Sequence, residues 1–308
     1  MTIPKGVQAF PRTEYLRRLS AVKAEMEGRD VDVLLVLDAS NITYLSGYTT
    51  PSGYVPQALV IDGVAEEPTF ILRRCDAPAA MYECFMEQDK IIGYPEALIG
   101  NLANDGYDAV IDFLNEAGLA KRGLGIEMSS LPAATSEKFK SRLPEARVVD
   151  CTKLVSWLRL VKSDLEIEVM REAAAISDAA MKRASEVIRA GVAEADAAAE
   201  IAAALIRGAN GKPGTALKAF YLCASPRIGT CHIPWTGDVF RDGSQINLEL
   251  GGTRHGYSAG LMRTFSIGAP SERLRRIHEA QVEGLEAALA AVRPGSTCSE
   301  VANAFYKT

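Results

Sequence analysis

Two side chains stand out for the chemistry they can do. Glu249 lies in the run Leu248-Glu249-Leu250-Gly251, and His232 lies in Cys231-His232-Ile233-Pro234. A carboxylate is ionised near neutrality and can act as a nucleophile or a general base. An imidazole exchanges its proton near working pH. The plain alternatives are a strand glutamate ion-paired with Arg254 or Arg263 and a histidine satisfied in the core or at the surface. The residue types alone favour those alternatives. The chain has three histidines. His278 reads as exposed on a charged helix and His255 as solvated in the turn Thr253-Arg254-His255-Gly256. Arg263 is a candidate anion partner, although an arginine beside a strand pairs structurally at least as often.

The elements that must position these groups follow from patterning. In the first half, Tyr15 to Met26 has helical spacing, with Leu16, Leu19 and Val22 on one face. Val31 to Leu37 reads as a buried strand, Asn41 to Tyr48 as a strand and turn. Ala58 to Ile61, Thr69 to Leu72, Gly123 to Glu127 and Val148-Val149 read as further strands, and Asp108 to Ala117 as a helix. Alternation of strands and helices argues for an α/β domain with a mixed sheet. Leu158 to Ser163 is a basic, hinge-like stretch, and Ser163 with Glu166 forms a capping box that opens a helix to about Arg189. The domain boundary is placed near 158, giving domains 1–158 and 159–308. Helix follows over Glu194 to Arg207, then strands at Lys218 to Cys223, Gln245 to Leu250 and Gly256 to Ser258. A long helix spans Glu272 to Val292, and Thr297 with Glu300 caps another. Because it stops inside that amphipathic helix, the chain reads as cut short within its second domain.

Composition narrows the function classes. With 308 residues, 48% hydrophobic and 24% charged, the chain fits two packed domains. A net charge of -5 without a basic patch gives no support to nucleic-acid binding. No apolar run is long enough to span a membrane, and the amino terminus, starting at Met1 and Thr2, lacks a signal peptide's apolar core. Six scattered cysteines, at 75, 84, 151, 223, 231 and 298, form no C-x-x-C pair. Reduced thiols and a cytoplasmic location are the expectation.

Three stretches resemble the creatinase/prolidase, or pita-bread, family. They are Leu158-Arg159-x-x-Lys162-Ser163-x-x-Glu166-Ile167-x-x-Met170-Arg171, then Cys231-His232-Ile233-Pro234, then Leu248-Glu249-Leu250-Gly251 followed by Gly256-Tyr257-Ser258-Ala259-Gly260-Leu261-Met262-Arg263-Thr264-Phe265. In metal-dependent members the third stretch reads D-x-G, then G-Y-x-x-D, then R-T, and both aspartates bind metal. Here Glu249 stands at the first position and Gly260 at the second. A dinuclear site needs bridging carboxylates. Gly260 has no side chain to bridge with, and the Glu249 carboxylate sits a methylene further out than aspartate's. The expectation is a site with no metal and no other cofactor. The resemblance places the family's remaining ligands, a histidine and two glutamates, beyond residue 308.

The resemblance implies a fold of mixed class: an N-terminal creatinase-like mixed-sheet domain followed by part of a pita-bread catalytic domain. It runs closest to ectoine hydrolases, through Asn41-x-x-Tyr44-Leu45-x-Gly47-Tyr48, Tyr54-Val55-Pro56-Gln57, His232-x-x-Trp235-Thr236 and the Glu249 strand. It implies that Glu249 attacks the ring amidine carbon and His232 shuttles the proton, giving an N-acetylated diaminobutyrate. Tyr54, Trp235, Tyr257 and Arg263 are the candidate substrate-binding residues. It also implies a homodimer in which the partner's amino-terminal domain covers the site, with Tyr48 to Tyr54 as an aromatic lid or as an ordinary surface loop. Thr49-Thr50-Pro51 is less aromatic than an ectoine hydrolase would be expected to have there. Three other readings stay open: a metal-dependent Xaa-Pro peptidase, a creatinase-like guanidinium hydrolase, and an inactive module that binds peptides.

Overall fold

The computed structural model describes all residues except 1, 2, 51, 53 and 102. The chain forms two compact units. The first comprises residues 1–170 and His255–Tyr257, the second Arg171–Arg254 and 258–308. The elements in chain order are α1 Arg12–Glu27, β1 Val33–Val36, α2 Ala39–Ser46, β2 Ala58–Asp62, β3 Thr69–Arg73, α3 Ala77–Glu83, β4 Ile91–Tyr94, α4 Gly106–Glu116, β5 Gly123–Ile126, α5 Ala133–Arg142, β6 Arg147–Asp150 and α6 Leu154–Leu158. They continue with α7 Asp164–Val187, α8 Glu194–Arg207, β7 Tyr221–Ala224, β8 Gln245–Arg254, β9 Tyr257–Ser266, α9 Glu272–Ala291 and α10 Cys298–Tyr306.

The first unit is built on a six-stranded mixed sheet in the order β4-β3-β2-β1-β5-β6. β2 pairs antiparallel with both β1 and β3, while the β1–β5, β5–β6 and β3–β4 pairs are parallel. The run Val33-Leu34-Leu35-Val36 is apolar throughout because β1 is covered on both faces: Leu34 and Val36 join one core cluster, Val33 and Leu35 the other.

Asn41 to Tyr48 is not a strand and turn. Most of it is α2. The Asp38 carboxylate caps that helix, accepting from the N–H groups of Ser40 and Asn41 at 2.9 and 3.0 Å, and Gly47 ends it at φ 84°. The β-branched and aromatic residues that look strand-like pack inward instead. Buried Asn41 donates to the Glu127 carboxylate at 2.6 Å and accepts from Arg159 at 2.7 Å. Glu127 also accepts the Leu37 and Asp38 N–H groups, each at 2.7 Å, while burial pushes its carboxyl above the usual range. α3, α5, α6 and β4 are short elements without a strong period, and sequence patterning does not mark them. The Ser163–Glu166 capping box forms as read, at 2.9 and 3.3 Å.

A buried ionic cluster ties this unit together. Arg18 is fully buried, with its guanidinium 4.3 Å from the ring centres of Phe10 and Tyr44. It donates to Glu14 at 3.0 Å and to the Tyr44 carbonyl at 2.8 Å. Ser163 also donates to Glu14. The Arg17 hydrogen bond, with help from Arg18 and Ser163, holds the Glu14 carboxyl down to about 2 from an ordinary 4.5.

In the second unit, β7, β8 and β9 form a three-stranded sheet in that order. Ile246, Leu248 and Leu250 of β8 pack with Ile176, Ala180 and Ala184 of α7 and Ile201 and Leu205 of α8. Ser177 of α7 pins the β8–β9 hairpin, donating to the Ala259 carbonyl at 2.6 Å and accepting from the Gly252 N–H at 2.8 Å. Gly252 is obligatory there: a methyl in its place would lie 2.4 Å from the Ala173 carbonyl oxygen. The hairpin turn, His255-Gly256, takes φ 48° and 82°, the pair of left-handed residues that a tight two-residue turn requires.

Glu14 sets a testable acid limb. Its folded pKa is depressed, so its stabilisation is complete above about pH 4.5 and disappears as pH falls toward about 2. Glu14→Gln removes the carboxylate to which Arg18 donates, leaves Glu166 at 3.9 Å as its ionic partner, and is expected to cost about 2 kcal/mol at pH 7. In urea titrations, the gap between wild type and variant should close over that acid window.

Candidate active site

β8 alternates cleanly. Ile246, Leu248 and Leu250 are buried, so Gln245, Asn247, Glu249 and Gly251 share the other face. The Glu249 side chain keeps 44% of its exposure. Directly across the antiparallel pair lies Tyr221 of β7. On the other side, Thr264 donates to the Asn247 side chain at 2.9 Å, and the Thr253 and Ser258 hydroxyls meet at 3.4 Å. That register sets Gly260 opposite Gly251 and Met262 opposite Glu249. A methyl on Gly251 would lie 3.7 Å from Gly260 Cα, whereas one on Gly260 would meet no atom within 4 Å. Gly260 is therefore an open position on the face that carries Glu249.

His232 comes from the loop between β7 and β8. Its Nε2 lies 3.6 Å from Glu249 Oε2, close enough for an ion pair when the imidazole is protonated. Its ring centre is 5.2 Å from that of Tyr221, tilted by 55°. Its backbone sits at φ 55°, a left-handed conformation that costs a non-glycine residue energy. Trp235, further along the loop, stacks on Phe220 with centres 5.1 Å apart and planes 30° apart. Glu249 and His232 are thus brought together, with Trp235 on the same loop as His232.

The other candidates are placed differently. Alternation along β9 puts Arg263 on the face opposite Glu249, with Leu261 and Phe265, and its guanidinium donates to the Met262 carbonyl at 2.8 Å. It is not presented to Glu249. Tyr257 belongs to the first unit, where its hydroxyl donates to the buried Glu166 carboxylate at 2.8 Å. Burial, followed by that carboxylate, pushes its phenol well above the ordinary range. Its hydroxyl is engaged in structure. Tyr54 also lies in the first unit, exposed, and accepts from Arg73 at 3.0 Å. Of the proposed lid Tyr48 to Tyr54, Tyr48 is a core residue, and Pro51 and Gly53 lie outside the described residues. Tyr221 is the neighbour that sequence reasoning missed. Only the pairing of β7 with β8 reveals it, and no motif marks that pairing.

These residues do not fit a two-metal centre. Gly260 and Gly251 offer no ligand atom from a side chain, and among the described residues no group of three or more His, Cys, Asp or Glu side chains is placed to hold an ion. What remains is a carboxylate and an imidazole beside an open, glycine-floored strand face with the Tyr221 ring next to it.

Comparison with known proteins places this arrangement. Residues 18–161 match the creatinase/prolidase N-terminal domain, and residues 168–308 match metallopeptidase family M24. A hydrolase/peptidase of Sinorhizobium fredii, itself uncharacterized, is 63% identical over 100% of this chain and 79% of its own length. The chain belongs to the creatinase/prolidase, or pita-bread, family. Within this family of hydrolases it is also 33% identical to the ectoine hydrolase of Halomonas elongata, over 96% of this chain and 76% of that protein. The Xaa-Pro dipeptidase structure from Bacillus anthracis shares the pita-bread fold with a TM-score of 0.77 at 21% identity, covering 95% of this chain and 76% of that one. Among the described residues no helix is long and apolar enough to cross a membrane.

The two strand glycines should respond oppositely to alanine. Gly260→Ala should fold with stability within about 0.5 kcal/mol of wild type, as a change without contacts does. Gly252→Ala should lose about 2 kcal/mol or more, because α7 must move to admit the methyl. Thermal denaturation of both variants checks this.

Proposed function

We propose that the protein is a metal-independent hydrolase that opens the cyclic amidine of ectoine or a similar small zwitterion. The observation that carries this reading is the Glu249–His232 pair at 3.6 Å on a strand face whose second carboxylate position is an open glycine. An ordinary peptide carbonyl is a poor electrophile and profits from a Lewis acid. An amidinium carbon already carries positive charge. A carboxylate attracts it electrostatically and can attack it or activate water beside it. The aromatic face of Tyr221 adds a preference for a cationic ring. The likeness to an ectoine hydrolase supports the substrate class.

In the nucleophilic form, a Glu249 oxygen bonds to the amidine carbon, one ring C–N bond breaks, and the departing nitrogen takes a proton from protonated His232. Neutral His232 then accepts a proton from the water that releases the acyl group. In the base form, Glu249 takes the proton from water as the water oxygen adds to the same carbon, and His232 again protonates the leaving nitrogen. Both give an N-acetylated diaminobutyrate from ectoine. The homodimer and cytoplasmic location expected of this family belong to the same proposal.

The test is a substrate panel of ectoine, creatine and an Xaa-Pro dipeptide, assayed with wild type, Glu249→Ala and His232→Asn. Ectoine turnover is expected, lowered about 10²–10⁴-fold in His232→Asn and at least as far in Glu249→Ala. Dipeptide cleavage without turnover of either amidine would make the protein a peptidase. Turnover of creatine alone would move the substrate to guanidiniums. Inertness toward all three would favour the peptide-binding module. Each of these overturns the proposal.

A further inference from the structure

The loop that carries His232 is held by a single buried carboxylate. Glu194, the first residue of α8, is 1% exposed. Its Oε1 accepts from Arg227 Nη2 at 2.7 Å, and its Oε2 accepts from the same nitrogen at 2.6 Å. Oε2 also accepts from the Thr236 N–H at 2.7 Å and the Thr236 hydroxyl at 3.0 Å. Arg227 and Thr236 are the two ends of the segment that contains His232 and Trp235. Inside it, Thr230 Oγ1 donates to the Arg227 carbonyl at 2.7 Å, and the buried Cys223 thiol lies 2.9 and 3.1 Å from the Arg227 and Thr230 carbonyls.

We propose that Glu194 is a positioning residue that clamps both ends of this loop and thereby keeps His232 in register with Glu249. The proposal rests on the reading of His232 as the proton-transferring group. The logic is one of constraint. The His232 side chain is 68% exposed and its backbone is left-handed, so packing around the residue itself does not fix it. The fixed points are its flanks, and both converge on one carboxylate. A charge-assisted bond to a guanidinium and a backbone N–H is strong and directional. An ordinary first-turn glutamate that only favours a helix N-terminus has no need of such partners. Asp196, exposed in the same turn, is that ordinary case.

The experiment uses a Trp157→Phe background, which leaves Trp235 as the one tryptophan of the two in the chain and a reporter within the loop. Acrylamide quenching of Trp235 and kcat and KM on ectoine are measured for Glu194→Gln, Thr236→Val, Thr236→Ser and Asp196→Asn. Glu194→Gln is expected to raise quenching about twofold and lower kcat about 10²-fold with KM little changed, the cost of a misplaced group. Thr236→Val should lower kcat about tenfold by the same effect, and Thr236→Ser, which keeps the hydroxyl, should restore it. Asp196→Asn should leave both readouts at the wild-type level. If Glu194→Gln lowers the melting temperature while quenching and kcat stay at wild type, Glu194 serves only the helix and the proposal is overturned. Quenching needs no substrate, so it tests the clamp even if the wild type turns over no amidine. That result would count against the proposed reaction alone.

Discussion

Strand β8 cannot bury Ile246, Leu248 and Leu250 without presenting Asn247 and Glu249 on its other side. Each of those apolar side chains contributes about 2 kcal/mol on burial. A slip of one residue would expose all three and drive the Glu249 carboxylate into the core, where an unpaired charge is far more costly. The direction of Glu249 is therefore set by core packing rather than by the site. Everything else at the site is referred to that strand: Tyr221 through the pairing of β7, Gly260 and Met262 through the β9 hairpin, and His232 through the loop that returns toward it.

His232 depends on a different kind of force. Its left-handed backbone costs about 1–2 kcal/mol, and its exposed ring gains little from burial. Polar anchoring at the loop ends offsets that cost. A rigid strand thus supplies the carboxylate and a tethered loop supplies the imidazole.

The same physics explains what could be read in advance. β8, α8 and both capping boxes are local patterns, and the residues that make them are neighbours in sequence. The Glu249–His232 pair was legible because a family resemblance marks both positions. Asn41 to Tyr48 misled because its Thr and Tyr residues suit a strand, while the Asp38 cap and the buried Glu127 contact select a helix. The face of β9 that Arg263 takes was not legible, because a motif says nothing about which face of a strand a side chain takes. The Tyr257 hydrogen bond was not legible, because its partner, Glu166, lies in a different part of the chain. Tyr221 and Glu194 left no sequence signal, since their importance arises only from strand register and a long-range hydrogen bond.

The central claim is that a carboxylate and an imidazole suffice where relatives described as metallopeptidases are built for metal. It is tested most directly by kcat/KM for ectoine after exhaustive chelation and again after adding back manganese, cobalt or zinc. The account predicts turnover unchanged by the chelator and not raised by any of the three metals. Activity abolished by chelation and restored by metal would contradict it.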